Sequence, residues 1–386
     1  MRNYADYEVI KLTQELVRIK STNPGTYEKE IGDFIYEWLS EIPDIEVIRD
    51  EFLPGRFNVV AHLKGELEHP NLVFIEHMDI VPEGAGWSFD PYCGDLVDGK
   101  IRGRGSVDMK AGLAAAMIAF REIAKTGKKP KYSFMLIATG DEEGDDMAGV
   151  EQAIKSGWVD KDSWVLDSEA TGLEIVATYK GKIWLKIYAQ GAPAHGSYPW
   201  AGVDAIAAIS EWICSFRRRV ADAPVHEELQ GCSVSFEEIS GGSNTNIVSE
   251  NAVLRIDMRL VPPTGYDEAV KMVEAAAADA EAAVPGSKIT YEIIAKRPVV
   301  MHNPEAFLYK ELVAVATQVM GKEPGEDFFT GYTDTAVIAS TFNSPNCMSF
   351  GPGDGSACHK PDESVDCEEI LIAEKILIEL AKKILY

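Results

Sequence analysis

The sequence predicts an α/β protein of two domains, in which a small α+β unit interrupts a larger unit of alternating strands and helices. Its 386 residues, 46% of them hydrophobic, exceed the length at which a single core usually divides. Short β-branched runs alternate with amphipathic stretches over 1–178 and again over 296–386, which implies a mostly parallel sheet covered on both faces. Over 179–295 the runs instead alternate apolar and polar residues, as half-exposed antiparallel strands do.

In the larger unit, "YEVIKLTQELVRI" and "EKEIGDFIYEWLSEI" carry apolar residues at helical spacing, while "IEVIRDEF", "NVVAHL" and "NLVFIEHMDI" read as strands bounded by turn residues. A long helix over "DMKAGLAAAMIAFREIAKTG" stops at Gly127, and the strands "KYSFMLIAT" and "SWVLDSE" each run into acidic residues. The interrupting unit follows with strand "KGKIWLKIYAQG", helix "GVDAIAAISEWICSFRRRV", strands "CSVSFEEISGG" and "NAVLRIDMRLV", helix "YDEAVKMVEAAAADAEAAV" and strand "KITYEIIA". This β-α-β-β-α-β order is the ferredoxin-like one, with both helices on one face of an open sheet. The larger unit closes with the helices "NPEAFLYKELVAVATQVMG" and "EEILIAEKILIELAKKIL".

Composition removes several function classes. A formal charge of −25 repels phosphate backbones and anionic lipid, so neither nucleic acid nor a membrane is an expected partner. The amino terminus "MRNYADYEVI" has no basic or apolar leader region, and the run "AGLAAAMIAF" ends at Arg121, too short to span a bilayer. Six cysteines without a CxxC pair fit reduced thiols in a cytoplasmic protein.

Polar residues that end apolar strands converge at the carboxyl edge of an open α/β sheet, where such folds bind ligands. Four strand ends here carry metal-ligand chemistry: His77 with Asp79 in "EHMDI", Asp108 in "GRGSVDMK", Glu142 and Glu143 in "GDEEG", and Asp167 with Glu169 in "VLDSEAT". His359 lies in the Gly-rich "GPGDGSACHKPDE". Imidazoles mixed with carboxylates suit zinc and, less tightly, manganese or cobalt. One histidine and one carboxylate per ion, with another carboxylate shared, would make a two-metal site with ions about 3.5–4 Å apart. Singly, each motif has a plainer reading: "DEE" as a solvated turn, Asp108 as a helix N-cap. Their joint occurrence at successive strand ends favours the metal site.

Taken together, "EHMDIVP", "DGKIRGRGSVDMKAG", "TGDEEG", "SEAT" and "CHKPDE" resemble the M20 metallopeptidases, a family that includes acetylornithine deacetylase, succinyl-diaminopimelate desuccinylase, aminoacylase and bacterial glutamate carboxypeptidase. The resemblance covers nearly the whole chain, including the interrupting unit through "GAPAHGSYPWAGVDA" and "GGSNTNIVSENAVLRIDMR". It implies a zinc-exopeptidase-like α/β catalytic domain with an inserted ferredoxin-like lid and dimerisation domain, two divalent ions per chain and a homodimer. By similarity Asp108 bridges the ions, His77 and Glu169 complete one ligand set, and Glu143 and His359 complete the other. Glu142 is then the general base and Asp79 the residue that holds the His77 imidazole. His195 would stabilise the oxyanion, Asn246 would grip the substrate, and Arg259, with Arg297 as a second candidate, would bind a substrate carboxylate. Thr333 and Asp334 correspond to a loop at the cleft wall.

The chemistry fits this set. Amide hydrolysis near neutral pH needs a strong nucleophile, and zinc lowers the pKa of water to about 7. A glutamate that ligates a metal cannot also move protons, so adjacent glutamates divide the two roles, and nearby cations keep the base ionised despite burial. An acid behind a ligating histidine fixes its tautomer.

The family's usual glycine before the first ligand is Glu76 here, and the proline after the fourth is Ala170. Glu76 should face away from His77, whereas Asp167 shares a side with Glu169 and stands as an alternative ligand. Cys358 beside His359 could coordinate or oxidise, though a small buried thiol is the plainer reading. The expected substrate is an N-acyl or N-carbamoyl amino acid or a di- or tripeptide, and the reading from another class is a homologue that binds metal or ligand without catalysis.

Overall fold

The computed structural model describes residues 2–144 and 146–386. The chain divides into two compact units, one made of Met1–Thr178, Met301–Asp327 and Thr333–Tyr386, the other of Tyr179–Val300 and Phe328–Tyr332. The second unit thus takes in 296–300 and Phe328–Tyr332 beyond the expected 179–295.

The first unit is built on an eight-stranded sheet in the order Glu46–Leu53, Arg56–Leu63, Tyr132–Thr139, Leu67–His77, Trp164–Asp167, Cys347–Ser349, Ile175–Tyr179 and Glu326–Phe329. Its centre is parallel: Leu67–His77 runs parallel to Tyr132–Thr139 and to Trp164–Asp167, which in turn is parallel to Cys347–Ser349, whereas Arg56–Leu63 is antiparallel to both of its neighbours and Cys347–Ser349 to Ile175–Tyr179. The expectation of a mostly parallel sheet is corrected at the flanks. Leu53 faces Arg56 across Pro54 and Gly55, and a two-residue connection can only join antiparallel strands. Gly55 supplies the positive φ of 78° that this turn needs.

The central strands are buried on both sides, which explains their unbroken apolar runs, as in Leu72–Ile75 and Phe134–Ala138. Against them lies the helix Ala111–Ala124, whose small residues at 111, 114, 115, 116 and 119 are fully buried among the helices Glu8–Arg18 and Cys367–Leu385. This helix starts three residues later than its sequence suggests. Asp108 (φ −122°, ψ 94°) and Met109 (φ −129°, ψ 31°) are not helical, and Asp108 caps nothing, so its N-cap reading falls.

The second unit is an antiparallel sheet ordered Ser233–Gly241, Asn251–Leu260, Gly181–Gln190, Lys288–Arg297. Helices Ala205–Ala221 and Tyr266–Ala283 bury Trp212, Phe216 and Val273 against Ile183, Leu185, Leu254 and Ile256 on one face. The order is the ferredoxin-like one that the sequence implies. The opposite face keeps the polar halves of the alternating strands.

Candidate metal centre

The expected ligands of the first unit lie at the ends of apolar strands or in the turns beside them. His77 ends Leu67–His77, Asp167 ends Trp164–Asp167, Glu142 and Glu143 follow Tyr132–Thr139, and Asp108 sits in the irregular turn before Ala111–Ala124. Register makes this convergence inevitable: His77 pairs with Thr139 and Phe74 with Leu166 on adjacent strands, so the chain ends emerge together.

The carboxylate of Asp108 stands between two histidines. Its Oδ1 is 3.0 Å from Nε2 of His77, and its Oδ2 is 3.3 Å from Nε2 of His359. His77 Nε2 is also 3.5 Å from Oε1 of Glu169, and His359 Nε2 is 3.2 Å from Oε1 of Glu143. Two sets of donor atoms result, His77, Glu142 and Glu169 in one and Asp108, Glu143 and His359 in the other, each within 4.8 Å of one another. Around a tetrahedral ion with bonds of about 2.0–2.1 Å, neighbouring donors are about 3.3 Å apart, so these separations fit ligands that share an ion. Asp167 is drawn elsewhere, accepting a hydrogen bond from Thr335 Oγ1 at 2.7 Å. Glu76 faces away as its strand position requires, accepting from the Ser168 amide and hydroxyl, both at 3.0 Å.

Asp79 uses two groups for two tasks. Its carbonyl oxygen lies 2.9 Å from Nδ1 of His77, while its carboxylate is 3.9 Å away, so the imidazole is held by main chain and not by the acid expected from the sequence. The carboxylate instead accepts from the amides of Glu142 and Glu143, both at 3.2 Å, and from Asn23 Nδ2 at 2.9 Å. Asn23 also reaches Asp141, which pairs with Arg56 at 2.9 Å; Arg56 in turn pairs with buried Glu28. This network fixes the Asp141–Glu143 turn, whose first residue takes a left-handed φ of 67°. The sequence reading missed Asn23, Arg56 and Glu28; of these only Asn23 has a local signal, the turn "STNPG".

Electrostatics favours cations here. Four carboxylates and two imidazoles share the two sets. Burial pushes Glu142 and Glu169 well above the usual carboxylate range, with neighbouring acids adding to the shift. Burial opposes a charge on His77, yet Glu169, Asp108 and Glu142 raise it well above the usual imidazole value. His359 is raised to about 10 by its hydrogen bonds to Asp108 and Glu143. Burial works against ionised Asp108, but both histidines hold it well below the usual range. Asp334 is buried, accepts from Thr139 Oγ1 at 2.5 Å and is pushed up to about 7 by burial; among the described residues its Oδ1 has no hydrogen-bond partner. Protons on the histidines partly neutralise the acids, and divalent ions would do so fully. The residues fit such ions.

The second unit carries the other expected residues at two places. His195 and Asn246 come together: Gly196 N donates to Asn246 O at 2.6 Å, and His195 bridges Ile247. Nδ1 of His195 lies 2.7 Å from the Ser197 hydroxyl and 3.2 Å from the Ser197 amide, so this side of the ring is held by its own loop. Arg259 lies toward the far end of Asn251–Leu260, about 26 Å from Asn251 by the rise of an extended strand. It holds Asp257 through Nε at 3.1 Å and Nη2 at 2.8 Å, and Thr330 O through Nη1 at 3.0 Å. Arg259 and Arg297 pair in register with Lys182 on the strand between them. Like charges directly opposite one another are unfavourable in a sheet, and Lys182 was not among the expected residues.

The profile of peptidase family M20/M25/M40 matches residues 73–383. A probable succinyl-diaminopimelate desuccinylase of Staphylococcus aureus is 26% identical over 401 residues, covering 95% of both chains. Among solved structures, an M20 family metallo-carboxypeptidase of Sulfolobus solfataricus superposes with a TM-score of 0.79 at 17% identity, over 97% of this chain and 99% of its own. A Bacillus subtilis protein described as a dinuclear metal binding M20 peptidase gives 0.72 at 18% identity, over 98% and 97%. A profile match over most of the chain, on a fold whose strand ends gather these donors, makes this protein a metallohydrolase of peptidase family M20/M25/M40.

Proposed function

We propose that the protein is a dimetal amide hydrolase acting on an N-acyl amino acid, or on a small peptide, with a free carboxylate. The observation that carries this is the Asp108 carboxylate, which turns one oxygen toward His77 and the other toward His359. His77, Glu169 and Asp108 would hold one ion and Asp108, Glu143 and His359 the other. When bound, such ions, zinc by the mixed donor set, acidify a water molecule and polarise the substrate carbonyl. Glu142, turned in by the amide clamp of Asp79, receives the proton as the water oxygen bonds to the carbonyl carbon. It returns that proton to the nitrogen as the C–N bond breaks, leaving a carboxylic acid and an amine. His195, with Asn246 beside it, would supply the hydrogen-bond donor that meets the developing oxyanion.

Arg259, Lys182 and Arg297 in one row support a substrate that carries a carboxylate. Since Arg259 and His195 lie toward opposite ends of one strand, they can serve one substrate only from different copies, which supports a twofold dimer with His195 supplied by the partner. All six cysteines are free, in keeping with a cytoplasmic protein, and among the described residues no helix is long and apolar enough to cross a membrane.

The match to a probable desuccinylase over 95% of both chains favours N-acyl amino acids. A probable carboxypeptidase of Aspergillus clavatus, 30% identical over 66% of this chain, favours a peptide instead. The test is a screen of N-succinyl and N-acetyl amino acids against di- and tripeptides, with added Zn, Co or Mn and with a chelator. Chelator-sensitive cleavage of one class is expected. Loaded protein that cleaves no amide would leave a metal-binding homologue without catalysis.

A further inference from the structure

The family motif "CHKPDE" ends in a glutamate to which the reading above gives no task. Glu363 is 1% exposed and lies four residues after His359, just before the strand Ser364–Asp366, which pairs with Lys100–Arg102. Its Oε2 meets Arg104 Nη1 at 2.5 Å. Its Oε1 accepts from the Val107 amide at 2.8 Å and from the Asp108 amide at 3.3 Å. Arg104 is itself buried at 2% exposure, donates to Glu83 O at 3.3 Å and lies over Trp87.

A buried ion pair is a poor source of stability, since desolvation offsets most of its attraction and an apolar pair of similar volume often does as well. Here the second oxygen supplies a better reason for it. The turn that presents Asp108 is not helical, so its amides need an acceptor outside any helix. A carboxylate is the strongest available, but beside Asp108 it adds negative charge to an acidic site, and Arg104 compensates that charge. Gly103 N donates to the Glu363 carbonyl at 3.0 Å, so the main chain around this acid is anchored as well. One segment therefore carries both His359, which meets the Asp108 carboxylate, and the clamp on Asp108's own backbone.

We infer that Glu363 is a positioning residue of the metal centre, fixing the Val107–Asp108 turn so that the Asp108 carboxylate faces both ion positions. This rests on the dimetal reading of the site.

The test compares two double variants that both remove the ion pair and differ in one acceptor. Arg104→Met/Glu363→Gln keeps an oxygen for the two amides; Arg104→Met/Glu363→Met does not. Each full-length protein is stripped with a chelator, melted, then titrated with cobalt(II) while its visible absorption is recorded. The Met/Gln protein should bind cobalt nearly as the wild type does. The Met/Met protein should bind about 10–100-fold more weakly at both ions, with a shifted cobalt spectrum, although the two stripped variants melt alike. Equal affinities and spectra in the two variants would overturn the inference, and so would a binding loss that merely tracks loss of folded protein. Glu363→Asp, which keeps the charge but cannot reach both partners, should weaken cobalt binding too and decides the matter if the Met/Met protein does not fold. A wild type that binds only one ion would remove the bridging role of Asp108, while the ratio between variants at that ion would still judge the clamp.

Discussion

Glu142 and Glu143 are neighbours whose amides share one clamp, yet only Glu143 stands against His359. Glu142→Ala should therefore lower kcat by about 10²–10⁴-fold with metal content intact, and Glu143→Ala should lower metal occupancy; reversed phenotypes in metal analysis and kinetics would exchange their roles. Arg259→Lys, which cannot offer a planar pair of donors, should raise KM for a free acid, and the wild type should suffer a similar loss on the corresponding amide. Equal turnover of acid and amide would remove Arg259 from substrate binding. Titration gives a further check on the stripped protein. Burial holds Asp79 and Asp334 at about 7 and Asp167 at about 6, above their unfolded values. Their stabilising contribution is full below the unfolded pKa and is lost as pH rises through the folded one, and the raised His77 and His359 change in the same direction at higher pH. The Tm of stripped protein should thus fall between about pH 5 and about pH 8, and the gain in Tm on reloading metal should grow over that range. A gain that shrinks with rising pH would contradict these shifts.

At the scale of elements, helix and strand order was legible because apolar periodicity states which face is buried, as in Val9, Ile10, Leu12, Leu16 and Val17 of Glu8–Arg18. The donor set was legible because its members follow strand ends or, like Asp108 and His359, lie in adjoining loops. The flanking antiparallel pairings were not, since they follow from a connection length and not from the runs themselves. Nor were Asn23, Arg56, Lys182 or the break at Asp108: their roles come from partners far along the chain, such as Asp79 for Asn23 and Arg259 for Lys182. Close packing between elements offers a test. A methyl group at Gly112, in the first turn of Ala111–Ala124, would overlap the Ser168 carbonyl, next to Glu169. Gly112→Ala should cost about 1–3 kcal/mol as overpacking and weaken metal binding through the displaced Glu169. Unchanged melting and unchanged metal affinity would mean that helix and loop are not wedged together.

For the whole molecule, the proposed exchange of His195 between copies can be read by mixing. Glu142→Ala and His195→Ala homodimers should each be nearly inactive, while random exchange of subunits should restore about a quarter of wild-type activity, because half the dimers then hold one complete site. With exchange verified by mass and metal content intact, no recovery would confine His195 to its own chain or remove it from catalysis. The roughly 26 Å of strand between Asn251 and Arg259 also has a consequence in genetic terms. A chain carrying both substitutions would withhold its own base from one site and its histidine from the other, silencing every mixed dimer it enters. Expressed in equal amount beside the wild type, it would leave about a quarter of full activity and not the half left by chains that work alone, so the double allele would be dominant, although each single allele, paired with the other, complements.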